Sequence, residues 1–475
     1  MTMLQTTGRI VVRDRSTFPE RGQPDADRHA NSGRQTHPER GPRGRSRALA
    51  LMGILCLALA ACGLASNSTA GKDDAVTEWS LLADYFGKGY ANWRTQAIMH
   101  RAMHDALNAA QPVYARWSPA GSGEPPADGA PPAIAMAAAA HEVLLRLHPD
   151  QRLENDQSFR KVLARSPDGP AKDNGVRLGT AIGTEAVRLR ANDGADRVRP
   201  FAASTQPGRW RPTPESYQTG STGDIKPVLF SAVSDVPVVP PPAVGTPTYL
   251  RQLDETIRVG GARSSERTVD QTEAAIFWAR QSSQRGFIAL AVRLLAAHPR
   301  PGGLHEHARI MSQLTSALAD SAILIWNEKE RYSFWRPVTA IRFAATTSGT
   351  GQNWVPLVET PAFPEYPSGH AADCFVGAGV LETAFPDLRE PIVYISEQDS
   401  ASRPDFGMSM GQHAQAGYNT DPVRKFSSLA AAAENCALSR IWAGAHLRAA
   451  DDEAQRMAGI IIQRAARSVP PVTSR

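Results

Sequence analysis

Residues 306–337 read EHARIMSQLTSALADSAILIWNEKERYSFWRP. Ile310, Leu314, Ala317 and Leu318 return at steps of three and four, the period of a helix. The run therefore predicts a long helix up to about Trp326, with Lys329 and Arg336 as two cations close behind it. The same period appears from Trp79 to Trp93, in Ile98–Ala109, in Ala133–Leu147 and in Asp173–Asp193. It returns at Tyr249 and continues through Ile276-Phe277-Trp278 and Phe287–Ala297. Few stretches alternate with the period of a strand. The chain is therefore expected to be all-α, as two stacked helical bundles, with an oxyanion site in the C-terminal bundle where ligands converge from facing helices and loops. Residues 194–248 interrupt the pattern with many prolines, Pro240-Pro241-Pro242 among them; a loop of that length tends to serve a function or to cover something.

Two further stretches carry chemistry: Pro367-Ser368-Gly369-His370, and Ser439-Arg440 followed by His446. With Lys329 and Arg336 they supply three fixed cations, a hydroxyl, a glycine amide and two imidazoles. That set suits a tetrahedral oxyanion passing through a five-coordinate state. Lysine and arginine balance charge on oxygens, and arginine grips two at once. Ser368 and the Gly369 N–H can donate, and glycine lets the backbone come close. One histidine can bond to the central atom while the other moves protons on the opposite face. Taken singly, each stretch reads better as surface charge and core histidine.

Together, Lys-x6-Arg-Pro, Pro-Ser-Gly-His and Ser-Arg-x5-His resemble the three signatures of the acid phosphatase and vanadium haloperoxidase superfamily. The resemblance covers about residues 78–465. Trp326 and Phe363 match the aromatic pair lining the halide side in the chloroperoxidase-like branch, although either ring also reads as core packing. The resemblance implies vanadate as cofactor, with phosphate able to occupy the site. It implies His446 as axial vanadium ligand, and Lys329, Arg336, Ser368, Gly369 and Arg440 around the equatorial oxygens. It implies His370 as the group that takes a proton from hydrogen peroxide and Lys329 as the group that polarises the bound peroxide. The reaction implied is halide oxidation to hypohalous acid or a halogenated product. The partners implied are peroxide, halide and a small organic substrate. An acid phosphatase working through a phosphohistidine at His446 uses the same parts, and a non-catalytic oxyanion-binding lipoprotein is a third reading. The family pattern places an aspartate four residues after the second histidine; here that residue is Ala450, with Asp451 next. Asp373, three after His370, either favours the helix N-terminus or acts on His370. His100 and His104, one turn apart, read as packing residues rather than metal ligands.

The 475 residues carry a net charge of +5, and residues 1–47 alone hold ten arginines against five acids. The remainder sums to zero, so no basic face for nucleic acid is implied. Arg43, Arg45 and Arg47 precede an apolar run that ends Leu59-Ala60-Ala61-Cys62, the form of a secretory leader. That ending resembles a lipoprotein box with Cys62 as the lipidated residue. It predicts export and a lipid anchor at a bacterial cell envelope, the outer membrane if the host is Gram-negative, with no other membrane contact. The expected divisions are a leader over 1–62, a tether over 63–77, an N-terminal helical part over 78–193, the loop over 194–248 and the anion-binding helical domain over 249–468. Cys374 and Cys436 are expected as buried free thiols, a bridge between them being the alternative.

Overall fold

Where the described residues repeat their apolar positions with helical period, they form helices. The computed structural model describes residues 75–87, 92–121, 123–197, 199–213, 223–280, 282–348, 351–396 and 421–472. The first group of helices is α1 (Ala75–Phe86), α2 (Asn92–Ala110), α3 (Pro132–Leu147), α4 (Arg152–Leu163) and α5 (Pro170–Leu189). Alanines on α3 let α5 come very close: a Cβ at Gly179 would lie 2.0 Å from the Ala135 carbonyl oxygen. No larger residue is possible there without moving a helix. His100 and His104 are buried on α2, and their partners are the Ser80 hydroxyl, Asp105 and Asn108. Among the described residues no cluster of His, Cys, Asp and Glu could hold a metal ion.

The second group comprises α6 (Pro247–Gly260), α7 (Val269–Trp278), α8 (Ser283–Ala297), α9 (Gly303–Tyr332), α10 (Pro337–Ser348), α11 (Gly369–Ala384), α12 (Leu429–Trp442) and α13 (Arg448–Ala466). The 30-residue α9 is the helix read at the outset, and it is buried nearly all round from Ile310 to Trp326. Such a helix belongs at a core, and α9 packs against α2 of the first group and against α11 and α13 of the second. It thereby joins the two bundles within a single compact unit, residues 69–475. Among the described residues the strands are limited to a two-strand antiparallel ribbon, β1 (Ile392–Ile395) with β2 (Val423–Phe426), Ile392 facing Phe426. Four residues are too few for a periodicity to announce them.

Cys374 and Cys436 are joined in a disulfide, not left as thiols. The packing of α11 on α12 brings their Cα atoms to 6.4 Å, within bridging range. Helix spacing alone puts each cysteine one turn from its motif; only the interhelical contact decides that the two meet. Among the described residues no helix is long and apolar enough to cross a membrane. The leader and Cys62 lie outside the described residues.

Candidate functional site

Helix α9 carries Lys329 in its last turn and ends at Ser333, a non-glycine residue in the left-handed region (φ 43°) whose N–H caps the Lys329 carbonyl at 2.9 Å. The next two residues are extended. Trp210 N donates to Ser333 O at 2.8 Å and Trp335 N to Gly208 O at 3.2 Å, so the proline-rich loop braces this segment. Arg336 follows immediately, and Pro337 opens α10. The six-residue gap between the two cations is thus most of a helical turn, a cap and a short braced segment.

The segment 363–368 is the hub. Its backbone carbonyls face inward: Phe363 O takes the Arg336 Nε–H at 2.8 Å. Pro364 O, Glu365 O and Pro367 O take the Lys329 ammonium, the first two at 3.0 and 2.8 Å. An ammonium has three donors, so in this state all three are used on the loop. Lys329 presents charge to the site; to hold an anion oxygen directly, one carbonyl must be exchanged. Ser368 is the N-cap of α11, and its N–H donates to Ala450 O at 3.0 Å. A Cβ added to Gly369 would meet only Ile325, at 3.8 Å. The fold therefore leaves room for a larger residue there, and the bare amide at a helix N-terminus suits an anion instead.

Helix α12 ends with Arg440 in its last turn, followed by Gly444 in the left-handed region (φ +74°). A Cβ on Gly444 would lie 2.5 Å from Gly260 O. That tight turn folds the chain back, so that Ala445 N and His446 N both donate to Arg440 O, at 3.0 and 3.3 Å. It delivers His446 beside Arg336, whose Nη1 lies 3.1 Å from His446 Nε2 and 3.0 Å from Ala445 O. The other ring nitrogen, Nδ1, is 3.0 Å from Glu365 Oε1, which also accepts the Leu447 N–H at 2.8 Å.

Burial depresses both imidazoles far below the usual histidine range, and the cations add to it. For His370 these are Arg440, Lys329 and Arg336, with the Trp278 carbonyl pulling the other way. For His446 they are Arg336, Lys329 and Arg440, with His370 itself contributing. Burial also lowers the Lys329 ammonium, with Arg336 next in effect, while Glu365 and Asp451 oppose. Burial raises the Glu365 carboxyl against the pull of Leu447 N–H, Arg336 and Lys329. Asp451 is raised by burial too, with the nearby Ser368 hydroxyl pulling the other way; neither of its oxygens has a hydrogen-bond partner among the described residues. The mutual effects of these groups place all of them at one locus. Asp373 is not part of it. Its carboxyl bonds Ser321, Ser283 and Gln284, tying α11 to α9 and α8.

Phe363 and Trp326 stand together with ring centroids 4.8 Å apart. The Phe363 ring lies 5.3 Å from Lys329 Nζ and 4.8 Å from Arg336 Cζ, so it covers two of the three cations. Phe201 stacks on Trp326 and meets Trp210, which extends the aromatic wall into the loop. Lys329, Arg336, Ser368, Gly369, His370, Arg440 and His446 are thus brought together with both rings. Sequence reasoning missed Glu365, Phe201, Trp210 and the Trp278 carbonyl. Glu365 had a signal: an acid set between Phe363-Pro364 and Tyr366-Pro367 is a charge in an otherwise apolar run. The two loop aromatics had none, because what they meet at the site, Trp326 and Ser333, is more than a hundred residues away.

The donor set fits a tetrahedral oxyanion such as vanadate or phosphate: three buried cations, a helix N-terminus free of a Cβ, and a neutral imidazole beside them. Residues 309–473 match the family model of the VCPO second helical-bundle domain. Vanadium chloroperoxidase of Curvularia inaequalis is 27% identical over 245 residues, 42% of this chain and 40% of that protein's length. The chain therefore aligns with less than half of that relative. The fold is similar to the crystal structure of the first bacterial vanadium-dependent iodoperoxidase, with TM-score 0.66 at 20% identity over 85% of this chain and 97% of that one. It is also similar to the apo-type bacterial vanadium-dependent chloroperoxidase, with TM-score 0.58 at 20% identity over 79% and 94%. The chain thus matches the VCPO second helical-bundle model over residues 309–473, and its fold is similar to those of the bacterial iodoperoxidase and chloroperoxidase structures.

Proposed function

We propose that the protein is a vanadate-dependent haloperoxidase that uses hydrogen peroxide to oxidise halide. The observation that carries this reading is the Phe363 ring laid over Lys329 and Arg336 with Trp326 behind it. A phosphatase needs water at its anion; two rings beside the cations exclude water and leave room for a weakly hydrated halide. When bound, vanadate would supply a Lewis acid for peroxide without changing oxidation state.

The chain's own residues do the rest. Arg336, Arg440 and the Lys329 charge hold the anion; at an effective dielectric constant near 20, each unit charge 4 Å away contributes about 4 kcal/mol. The Ser368 hydroxyl and the Gly369 N–H complete the cradle. His446 is neutral, and its Nε2 lone pair faces the Arg336 side of the site. His370 is held neutral by burial and its cationic neighbours. A neutral imidazole can accept the proton of an incoming peroxide and return it to the departing hypohalite oxygen.

The buried Cys374–Cys436 disulfide supports export to an oxidising compartment. Anchoring through Cys62 completes that reading: the protein should partition with membranes, and Cys62→Ser should release it. Soluble wild type without lipid on its N-terminus would contradict the anchor. The catalytic reading is tested by loading the purified protein with orthovanadate and measuring bromination of a phenol dye beside hydrolysis of an aryl phosphate. Dye bromination that depends on vanadate and peroxide is expected. Phosphate hydrolysis without bromination would replace the haloperoxidase with a phosphatase working through His446.

A further inference from the structure

We propose that Glu365 is the positioning residue of His446, doing from the Pro-Ser-Gly-His loop what the family pattern assigns to a carboxylate one turn into the following helix. The observations converge on one oxygen. Glu365 Oε1 lies 3.0 Å from His446 Nδ1 and also accepts the Leu447 N–H at 2.8 Å. Both residues are buried, with Glu365 fully shielded from solvent. Oε1 already accepts the Leu447 N–H and so serves the ring as an acceptor too, which places the proton of the neutral imidazole on Nδ1. Nε2 then keeps its lone pair, and Arg336 Nη1, which can only donate, meets that nitrogen at 3.1 Å. The tautomer is fixed from both sides.

The two other candidates for this role are excluded by position. Residue 450 is alanine, and its contribution is the backbone carbonyl that receives Ser368 N–H. Asp451 lies about 100° further round the helix than residue 450, and neither of its oxygens bonds His446 or any other described group. The remaining oxygen of Glu365, Oε2, is buried without a hydrogen-bond partner among the described residues. A carboxylate retained for packing alone would be poorly served by such a site, since a buried half-satisfied charge is costly. The Glu365 backbone carbonyl meanwhile holds Lys329. One residue thus sets the axial imidazole with its side chain and a site cation with its main chain, which couples the two ends of the anion pocket through a single loop.

This inference rests on the oxyanion-binding reading of the site but not on halide oxidation, and its test is independent of turnover. Long-range proton–nitrogen spectra of the anion-free protein, with His446 assigned by its loss in His446→Ala, report the tautomer directly. Wild type should show the Nδ1–H form. Glu365→Gln keeps an oxygen acceptor and should retain that form. Glu365→Leu should lose it, and its orthovanadate affinity, measured by calorimetry, should fall about 10- to 100-fold, the usual cost of removing a group that orients a ligand. Asp451→Asn should leave the tautomer unchanged. An Nε2–H ring in wild type overturns the proposal without recourse to any variant. So does a folded Glu365→Leu protein with an unchanged tautomer and unchanged orthovanadate affinity. A protein that passes these tests and oxidises no halide refutes the proposed function while leaving the role of Glu365 standing.

Discussion

At the scale of single residues, the two imidazoles divide the work. His446→Ala should abolish turnover and anion binding together, because it removes the imidazole nitrogen that meets Arg336 Nη1 in the pocket. His370→Ala should keep orthovanadate affinity and lose halide oxidation; equal loss of affinity in both variants contradicts the division. Phe363 covers Lys329 and Arg336, so Phe363→His brings water and a titrating group against the cations. Chloride is harder to oxidise than bromide and should suffer more. A roughly tenfold loss of chloride turnover, about 1.4 kcal/mol, with a smaller loss for bromide, is expected from steady-state rates on the two halides. Equal losses would make Phe363 a packing residue. Asp373 yields a pH prediction. Burial lifts its carboxyl from 3.8 to about 7, against the hydrogen bonds of Ser321, Gln284 and Ser283. The folded state therefore holds a proton that the unfolded chain releases near pH 4. Its contribution to stability is present below that point and is lost as pH rises to about 7, to a total of order 4 kcal/mol. Asp373→Asn should raise the melting temperature relative to wild type more at pH 8 than at pH 5; parallel curves would refute the assignment.

At the scale of elements, the motifs are connections between helices, and their spacings are capping geometry. Lys-x6-Arg is a helix end, a left-handed cap at Ser333 and a braced segment. Ser-Arg-x5-His is a helix end and a left-handed glycine. Gly444→Ala puts a Cβ against Gly260 O and a strained backbone in the turn that carries His446. It should lower stability by about 1–3 kcal/mol and weaken orthovanadate binding, as read by thermal melts and calorimetry. The disulfide joins α11 to α12 across 62 residues of sequence. Cys374→Ser should cost about 2–4 kcal/mol, and the unfolded, unreduced wild type should show no alkylatable thiol at either position. The helices themselves were legible because α9 and its neighbours repeat their apolar residues over many turns. The ribbon of β1 and β2 was not, being four residues a side. The bridge of Cys374 to Cys436, the contact of Glu365 with His446 and the brace of residues 208–210 on 333–335 all depend on which helices and loops pack together, and no local pattern encodes that.

At the scale of the whole molecule, α9 holds the two bundles together, and its end delivers Lys329 into a pocket closed by α11, α12 and the loop before α13. The residues that would touch an anion could be named from the chain because three short motifs occur together in the order that resembles the superfamily's signatures. Those that set their state are Glu365 for the His446 tautomer, the Trp278 carbonyl for His370 and Phe201 behind Trp326. They act across the fold and emerge only with it. The central claim is that this aromatic-covered cation pocket oxidises halide. The most direct measurement is the rate of phenol-dye bromination by the purified protein with hydrogen peroxide and bromide, before and after loading with orthovanadate, and again with excess inorganic phosphate. Bromination that appears on vanadate loading and is suppressed by phosphate competing for the same cations is the predicted result. A vanadate-loaded protein that brominates nothing, while the same preparation hydrolyses an aryl phosphate, would contradict it.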